Sequence, residues 1–186
     1  MGRLPGALLA LVLLAGLLGC GDAAGPTAGT AEPPGRLSVH PVLGTAAEET
    51  VTDPDELDPL AKASVRDPDG GAALVIGPAV LTREHVAAAA VEPSRPGGPA
   101  DAVTVEWTEG GAVRWARLTG QAACAPPGDP ARRIAVLLDG AVLTAPSVSP
   151  AVQCDVGIEG GSTQLLGPFP SSDAEGIAAS LQPGAG

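Results

Sequence analysis

Hydrophobic positions form their clearest pattern between Arg133 and Pro146, where two apolar runs flank Asp139-Gly140. An Asp-Gly pair between such runs predicts a tight hairpin, because both central residues of its turn need positive φ. That turn sets the register and should place Val136 opposite Leu143. Both faces of the ribbon are largely apolar, so we expect a central pair of strands that ends before the proline.

Three more strands are predicted from short or alternating apolar runs, at residues 37–43, 73–76 and 102–108. The first contains Pro41, which has no N–H to donate, so this strand should lie at the edge of a sheet. An Asp-Pro-Asp-Gly-Gly segment at 67–71 predicts a turn before the second strand.

Helical spacing of apolar residues predicts helices from about 112 and over 172–181. Thr82 as an N-cap predicts another helix over 84–91. The acidic segment 45–59 is expected to be a loop, with one helical turn near 56–63. Strands and helices alternate without uniform parallel units, which favours an α+β fold: an antiparallel sheet with a central Asp-Gly hairpin and helices packed on one face.

The N-terminus has the pattern of a bacterial lipoprotein signal peptide. Residues 7–18 form an apolar run shorter than the roughly 20 residues of a membrane-spanning helix, and Leu-Leu-Gly-Cys follows at 17–20. We expect cleavage after residue 19 and lipidation of Cys20, with palmitate among the acyl chains, which would hold the protein on the extracytoplasmic face of the cell membrane. An ordinary secretory peptide with an incidental cysteine is the alternative.

The next segment, residues 20–35, is rich in Gly, Ala, Thr and Pro and has almost no large apolar residue. Such a composition predicts a disordered tether, because it cannot bury a core. The remaining residues, 36–186, have the length of one domain.

Three cysteines minus the lipidated one leave Cys124 and Cys154, an even pair outside the reducing cytoplasm. A disulfide between them would close a loop of about 30 residues and contribute roughly 3–4 kcal/mol. Two unpaired thiols are the alternative. A metal site is disfavoured because no CxxC motif occurs and both histidines, His40 and His85, are distant in sequence.

The formal charge of the chain is −11, and removal of Arg3 with the signal peptide lowers it to −12. An acidic chain repels phosphate backbones. Its aromatic residues are only Trp107, Trp115 and Phe169, too few for a platform that stacks bases. These features exclude nucleic-acid binding.

Candidate catalytic residues all have simpler interpretations. Asp139 occupies a turn that favours Asp for local backbone reasons. Gly160-Gly161 lacks the Lys-Ser/Thr that a phosphate-binding P-loop requires, so turn glycines are expected there. His40 and His85 have no evident serine and carboxylate partners in sequence. We therefore predict no catalytic, cofactor-binding or metal-binding residue and no cofactor.

The ordered motifs resemble the first periplasmic domain of SecD, the bacterial protein-export factor. The resemblance rests on the 133–146 segment, on Gly160-Gly161 through Gly167, and on Phe169. Weaker matches at 37–43, 74–79, 103–107 and 115–119 occur in the family's order. The resemblance implies a SecD-type head fold over 36–186, with Asp139, Gly140, Pro146, Gly160, Gly161, Gly167 and Phe169 as structural motif residues.

Family membership would imply a non-enzymatic module on the membrane surface that contacts exported polypeptides or envelope proteins during translocation. In SecD, membrane helices couple the proton gradient to movement. We expect a lipid at Cys20 in place of such helices here, which removes the motor but keeps the fold. A small-ligand-binding or enzymatic lipoprotein that reuses the fold is the alternative.

Overall fold

The computed structural model describes residues 36–92, 102–166 and 171–183. They form a mixed α+β fold, as expected from the sequence. The strands are β1 (Leu37–Ala46), β2 (Ala63–Val65), β3 (Ala73–Ile76), β4 (Leu81–Thr82), β5 (Val86–Glu92), β6 (Ala102–Trp107), β7 (Ile134–Leu138), β8 (Ala141–Thr144) and β9 (Ser162–Leu166). The helices are α1 (Glu109–Ala123) and α2 (Ser171–Leu181).

The described strands form two antiparallel sheets rather than the single sheet expected. The larger has the order β2-β3-β1-β7-β8, with β4 paired to the start of β1. The smaller has the order β5-β6-β9. The long strand β1 therefore lies in the interior of the larger sheet, between β7 on one side and β3 and β4 on the other.

The main core joins the smaller sheet, both helices and one face of the larger sheet. Trp107 of β6 and Trp115 of α1 stack there with ring centroids 5.7 Å apart. The predicted alternation in β6 is confirmed, since Val103 and Val105 are fully buried. Helix α2 presents its buried residues at helical spacing, as predicted: Ala174, Ile177, Ala178 and Leu181.

A second core covers the opposite face of the larger sheet. It includes Leu57 from the loop before β2, together with Leu74 and Ile76 of β3 and Ala135 and Leu137 of β7. Burial on both faces explains why β3 and β7 are nearly continuous apolar runs in sequence.

The helix predicted over 84–91 is wrong. The chain makes a single 3₁₀ turn at Arg83–His85 and then continues as strand β5. In this turn the N–H of Thr82 donates to His85 Nδ1 at 3.2 Å. The alanine-rich segment has a high helix propensity. Pairing along β6 outweighs that propensity, because it buries Val86 and Ala89 in the main core.

The edge position predicted for Pro41 is also wrong, because β1 is an interior strand. The Pro41 carbonyl accepts a hydrogen bond from the N–H of Gly77 at 2.9 Å, in the connection between β3 and β4. The two backbone groups of one residue in an antiparallel strand point to the same side. The missing donor of the proline therefore faces this connection and not β7, and no bond of the β1–β7 ladder is lost.

The helical turn predicted near 56–63 is absent from the described structure. Instead, Pro54–Glu56 forms a 3₁₀ turn in which the Asp53 carboxylate accepts the N–H of Asp55, and β2 begins at Ala63. Proline at the first position and an aspartate before it are typical of such a short helical start.

The predicted hairpin is confirmed, but with two differences in detail. Strand β8 forms an edge of the larger sheet and is only half-buried, so the hairpin is central through β7 alone. A bulge shifts the register after the first two pairs, so that Val136 lies opposite Thr144 and not Leu143. Bulges of this kind are common at sheet edges.

Candidate binding surface at the hairpin tip

The hairpin tip has the backbone conformation that its sequence demands. Asp139 has φ 50° and Gly140 has φ 82°. The tip is fastened to the start of β1, because the N–H of Arg36 donates to Asp139 Oδ1 at 2.8 Å and the N–H of Asp139 donates to the Arg36 carbonyl at 3.2 Å. These bonds position the turn at one end of the larger sheet.

Gly140 also touches the loop that precedes β2. A Cβ atom at this position would overlap the backbone carbonyl of Pro54. Glycine is therefore required twice over, by its positive φ and by the close approach of a second chain segment.

A cavity lies on each side of the contact between Gly140 and Pro54. The first, of about 400 Å³, is bounded mainly by the start of β1, the Pro54–Pro59 loop and the Thr82–Glu84 turn. The second, of about 490 Å³, lies between β8 and the segments Val51–Pro54 and Val65–Pro68. We call the two cavities and the tip that divides them the hairpin-tip surface.

Two polar side chains of β1 lie on the face of the second core. Ser38 and His40 alternate with Leu37 and Val39, which face the main core. The His40 ring is fully buried, and its Nδ1 lies 2.8 Å from the Gly77 carbonyl oxygen. That contact requires a proton on Nδ1, so Nε2, 2.9 Å from Ser38 Oγ, accepts the serine hydroxyl. Burial lowers the pKa of His40 and favours this neutral ring, although the Gly77 hydrogen bond opposes the shift.

An ion pair connects the base of the hairpin to the 67–71 turn. The Arg133 guanidinium donates to both carboxylate oxygens of Asp67, at 2.5 and 2.9 Å, and to Asp69 at 2.7 Å. The hydrogen bond from Arg133 lowers the pKa of Asp67, and the bond to Asp67 in turn raises the pKa of Arg133. The Arg133 Nε also donates to the Ala145 carbonyl at 2.7 Å, which ties both strands of the hairpin to this turn.

The neighbouring Arg132 is buried among backbone carbonyls. Its side chain donates to the carbonyl oxygens of Ala123 and Ala125 at the end of α1, and to those of Val148 and Ser149 after β8, at 2.5–2.9 Å. A cation is favourable at the C-terminus of a helix, where carbonyl groups have no partner within the helix. Arg132 thus links the end of α1 to the segment that follows the hairpin.

The same two segments are joined at Cys124 and Cys154, whose sulfurs lie 1.96 Å apart with Cα atoms 4.5 Å apart. The chain after Cys154 also packs closely against helix α1, because a Cβ at Gly157 would overlap the backbone of Ala116. Asp155 lies beside the two sulfurs, and these three residues are the one possible metal-ligand cluster in the described ranges. The short separation of the two sulfurs leaves no space for a metal ion between them.

The remaining predicted motif residues lie at chain reversals or outside the described structure. Pro146 follows β8, and its carbonyl accepts the N–H of Ile134. Gly160 and Gly161 have φ 110° and 73°, and the Gly161 carbonyl accepts the N–H of Trp107. Cys20, Gly167 and Phe169 lie outside the described residues, as do the signal peptide and tether expected over 1–35.

Sequence reasoning missed the Ser38–His40 pair and the roles of both arginines. The pair could have been found from its i, i+2 spacing on a predicted strand, which places both side chains on one face. Two adjacent arginines immediately before a buried strand, in a chain with ten basic residues, were a further signal.

Within the described ranges, no helix is long and apolar enough to cross a membrane.

Comparisons with known proteins agree on one family. The family model described as "SecDF, P1 head subdomain" matches residues 60–185. The protein translocase subunit SecD of Acidaminococcus fermentans is 35% identical over 108 residues, which cover 58% of this chain and 22% of that relative. The chain thus spans about a fifth of the curated relative that it matches.

Solved structures show the same fold. A crystal structure of SecDF in a super-membrane-facing form aligns with a TM-score of 0.53 and 24% identity, over 80% of this chain and 19% of that chain. A second structure, of SecDF as a membrane component that enhances protein export, aligns with a TM-score of 0.51 and 22% identity, over 80% of this chain and 62% of that one. The matched region contains the hairpin, both arginines and both helices, and on this evidence the chain belongs to the SecDF P1 head subdomain family.

Proposed function

We propose that this protein is a non-enzymatic, lipid-anchored binding module on the extracytoplasmic face of the cell membrane, where it contacts exported polypeptides or envelope proteins during protein translocation. The observation that carries the proposal is the family match over residues 60–185, which include the hairpin tip, β8 and the Thr82–Glu84 turn of the hairpin-tip surface. The related SecDF is described as a membrane component that enhances protein export.

The shape of the hairpin-tip surface supports a binding role. Its first cavity has apolar walls from Pro54, Leu57 and Pro59, and its second is bordered by Val51, Val65 and Val142. Apolar recesses of several hundred Å³ with a polar rim are suited to single apolar side chains of an extended partner. Strand β8 borders the second cavity as an edge strand, which is a position where an extended chain can add backbone hydrogen bonds.

Photocrosslinking in cells tests the polypeptide contact. A photoreactive residue in place of Glu84, at the first cavity, or Ala141, at the second, should capture newly exported chains. The same residue in place of Val113, which is 57% exposed on α1 and outside both cavities, is the matched control. Equal capture from all three positions, or none from the cavity positions, would contradict the proposal.

The lipid anchor at Cys20 has its own test. The wild-type protein should partition into the detergent phase and carry the mass of a diacylglyceryl group, since stable attachment needs two acyl chains. Cys20→Ala should move the protein to the aqueous phase, whereas Cys154→Ala should not. Detergent partition that survives Cys20→Ala would reject the anchor.

We also propose that Cys124 and Cys154 form a disulfide in the mature protein. Support comes from the even cysteine count after lipidation and from the Cα separation of 4.5 Å, which a disulfide can span. Unfolded, non-reduced protein should contain no thiol that reacts with maleimide. Two reactive thiols per chain would contradict the disulfide.

A ligand-binding or enzymatic role is the second candidate, and one observation favours it. Ser38, hydrogen-bonded to a neutral histidine, lines the first cavity of the hairpin-tip surface. Thermal-shift screening against metabolites distinguishes the two roles, because a small-molecule site predicts stabilisation by a defined compound class and polypeptide capture alone does not.

A further inference from the structure

We propose that Ser38 is a nucleophilic serine, with His40 as its general base, that accepts an acyl group from esters whose acyl chain is apolar. The proposal is limited to one stoichiometric acylation, so it goes beyond the non-enzymatic binding role without contradicting it or depending on it. Neither the family match nor the related proteins assign chemistry to these residues.

The geometry is that of an activated hydroxyl. Ser38 Oγ lies 2.9 Å from His40 Nε2, within the distance over which a general base accepts a proton. The other ring nitrogen, Nδ1, lies 2.8 Å from the Gly77 carbonyl oxygen. Nucleophilic hydrolases combine a nucleophile, a base and a third group that orients the base. Here a backbone carbonyl takes the third position.

The larger sheet holds both side chains in place. Strand β1 has neighbours on both sides at these positions, since Ser38 pairs with Leu137 and Thr82, and His40 pairs with Ala135. The imidazole is fully buried and cannot turn without breaking its bond to Gly77. Its Nε2 lone pair is therefore held toward the serine, and burial keeps the ring neutral and able to take a proton.

Access to the serine comes from the first cavity. Ser38 retains 6% exposure and lines this space of about 400 Å³, whereas His40 does not line it. The apolar walls come from Leu57 and two prolines of the covering loop. A medium-length hydrocarbon chain fits such walls, which assigns the substrate class as carboxylic esters with an apolar acyl group.

One acylation step follows from these parts. Ser38 Oγ attacks the ester carbonyl carbon while its proton moves to His40 Nε2. The carbon–oxygen bond to the alcohol breaks, the alcohol leaves with the proton from Nε2, and the acyl group remains on Ser38 as an ester. No oxidant or metal is needed. The tetrahedral oxyanion of this step has no assigned donor, so we expect a slow, single acylation and no rapid turnover.

The test uses the full-length protein in detergent with an alkyl fluorophosphonate probe and with the p-nitrophenyl ester of a medium-chain fatty acid. Mass spectrometry should find one adduct, on Ser38, and the ester should release about one equivalent of p-nitrophenol. Ser38→Ala should abolish both signals. Ser162→Ala, an exposed serine on β9, should leave them unchanged.

The base is tested by His40→Gln, which should slow labelling by about 10²-fold or more if His40 is a general base. The substituted side chain is buried, so His40→Gln can also unfold the protein. The pH profile of wild-type labelling therefore serves as a second measurement. The rate should level off at neutral pH, once the imidazole is deprotonated. Absence of a Ser38 adduct in folded wild-type protein, or a rate that rises tenfold per pH unit up to pH 9, would overturn the proposal. Either result leaves the crosslinking test of the binding role untouched.

Discussion

Arg133 binds Asp67 through two parallel hydrogen bonds, at 2.5 and 2.9 Å, and so joins the hairpin to a turn 66 residues away in sequence. The carboxylate side chain is 8% exposed and the guanidinium 18%. Pairs of this planar geometry are stronger than single-contact ion pairs, and water screens this one little.

Asp67→Asn should destabilise the protein by about 2–4 kcal/mol at pH 7, because it leaves a largely buried guanidinium with only the exposed Asp69 carboxylate as its ionic partner. Asp69→Asn is the matched control, since that side chain is 79% exposed and should cost under about 1 kcal/mol. Urea unfolding at pH 7 measures both. Equal losses for the two variants would contradict the role of the pair.

The pH dependence of this pair has a definite sign. The folded-state pKa of Asp67 is lowered, so its contribution to stability is fully present above the unfolded-state pKa and is lost as the pH falls through the folded value. The stability gap between wild type and Asp67→Asn should therefore shrink as the pH falls below about 4. A gap that stays constant through this range would show that the charge of the Asp67 carboxylate does not contribute to stability.

His40 predicts a separate loss of stability as the pH falls, in a higher pH range than the loss from Asp67. Burial lowers its folded-state pKa, so the unfolded chain binds the extra proton, and the stabilisation is present above the unfolded-state pKa of about 6.5 and is lost as the pH falls below it. Urea midpoints should decline between pH 7 and pH 5 in the wild type. A folded His40→Gln variant should show a flatter profile, and an equal decline in this variant would contradict the role of His40.

Arg132→Met should cost about 3–5 kcal/mol, because four carbonyl groups lose their donor in a buried site. Arg117→Met, on the exposed face of α1, should change the stability by less than about 0.5 kcal/mol.

The double variant Cys124→Ser, Arg132→Met tests whether these two residues are coupled. Arg132 links the end of α1 to the segment after β8, and the proposed disulfide at Cys124 would link the same segments, so the combined loss should differ from the sum of the single losses. Strict additivity would show that the two links act independently.

Gly140→Ala separates backbone strain from steric overlap at the hairpin tip. Gly128 has φ 86°, close to the 82° of Gly140, but a Cβ there meets nothing within 4 Å. Gly128→Ala should therefore cost about 1 kcal/mol, from the left-handed backbone alone. Gly140→Ala should cost about 1–3 kcal/mol more, because the added methyl group collides with Pro54. Thermal unfolding of both variants measures the difference, and equal losses would exclude a tight contact at the tip.

Elements with a strong local signal were predicted from the sequence. The Asp139-Gly140 turn, the alternation in β6 and the buried stripe of α2 depend on residues that are close in the chain. Local φ preferences and periodicity are sufficient for such elements.

Other features depended on residues far away in the chain. The alanine-rich segment 86–92 favours a helix by propensity, but β6 makes it a strand. The missing donor of Pro41 favours an edge strand, and only the β3–β4 connection beside it explains its place in an interior strand. The hairpin was expected to be central, but β8 borders a cavity instead.

The sequence by itself determined the turns, the amphipathic helix and the ordered motifs that identify the family, because these are written in neighbouring residues. Only the tertiary structure decided which strands became central and which polar groups met. Ser38 shares a face with His40 through strand geometry, but the Gly77 carbonyl that fixes the ring comes from 37 residues away. The partners of Arg132 and Arg133 likewise come from distant segments. Contacts of this kind are created when the chain packs its two cores, and no local preference encodes them.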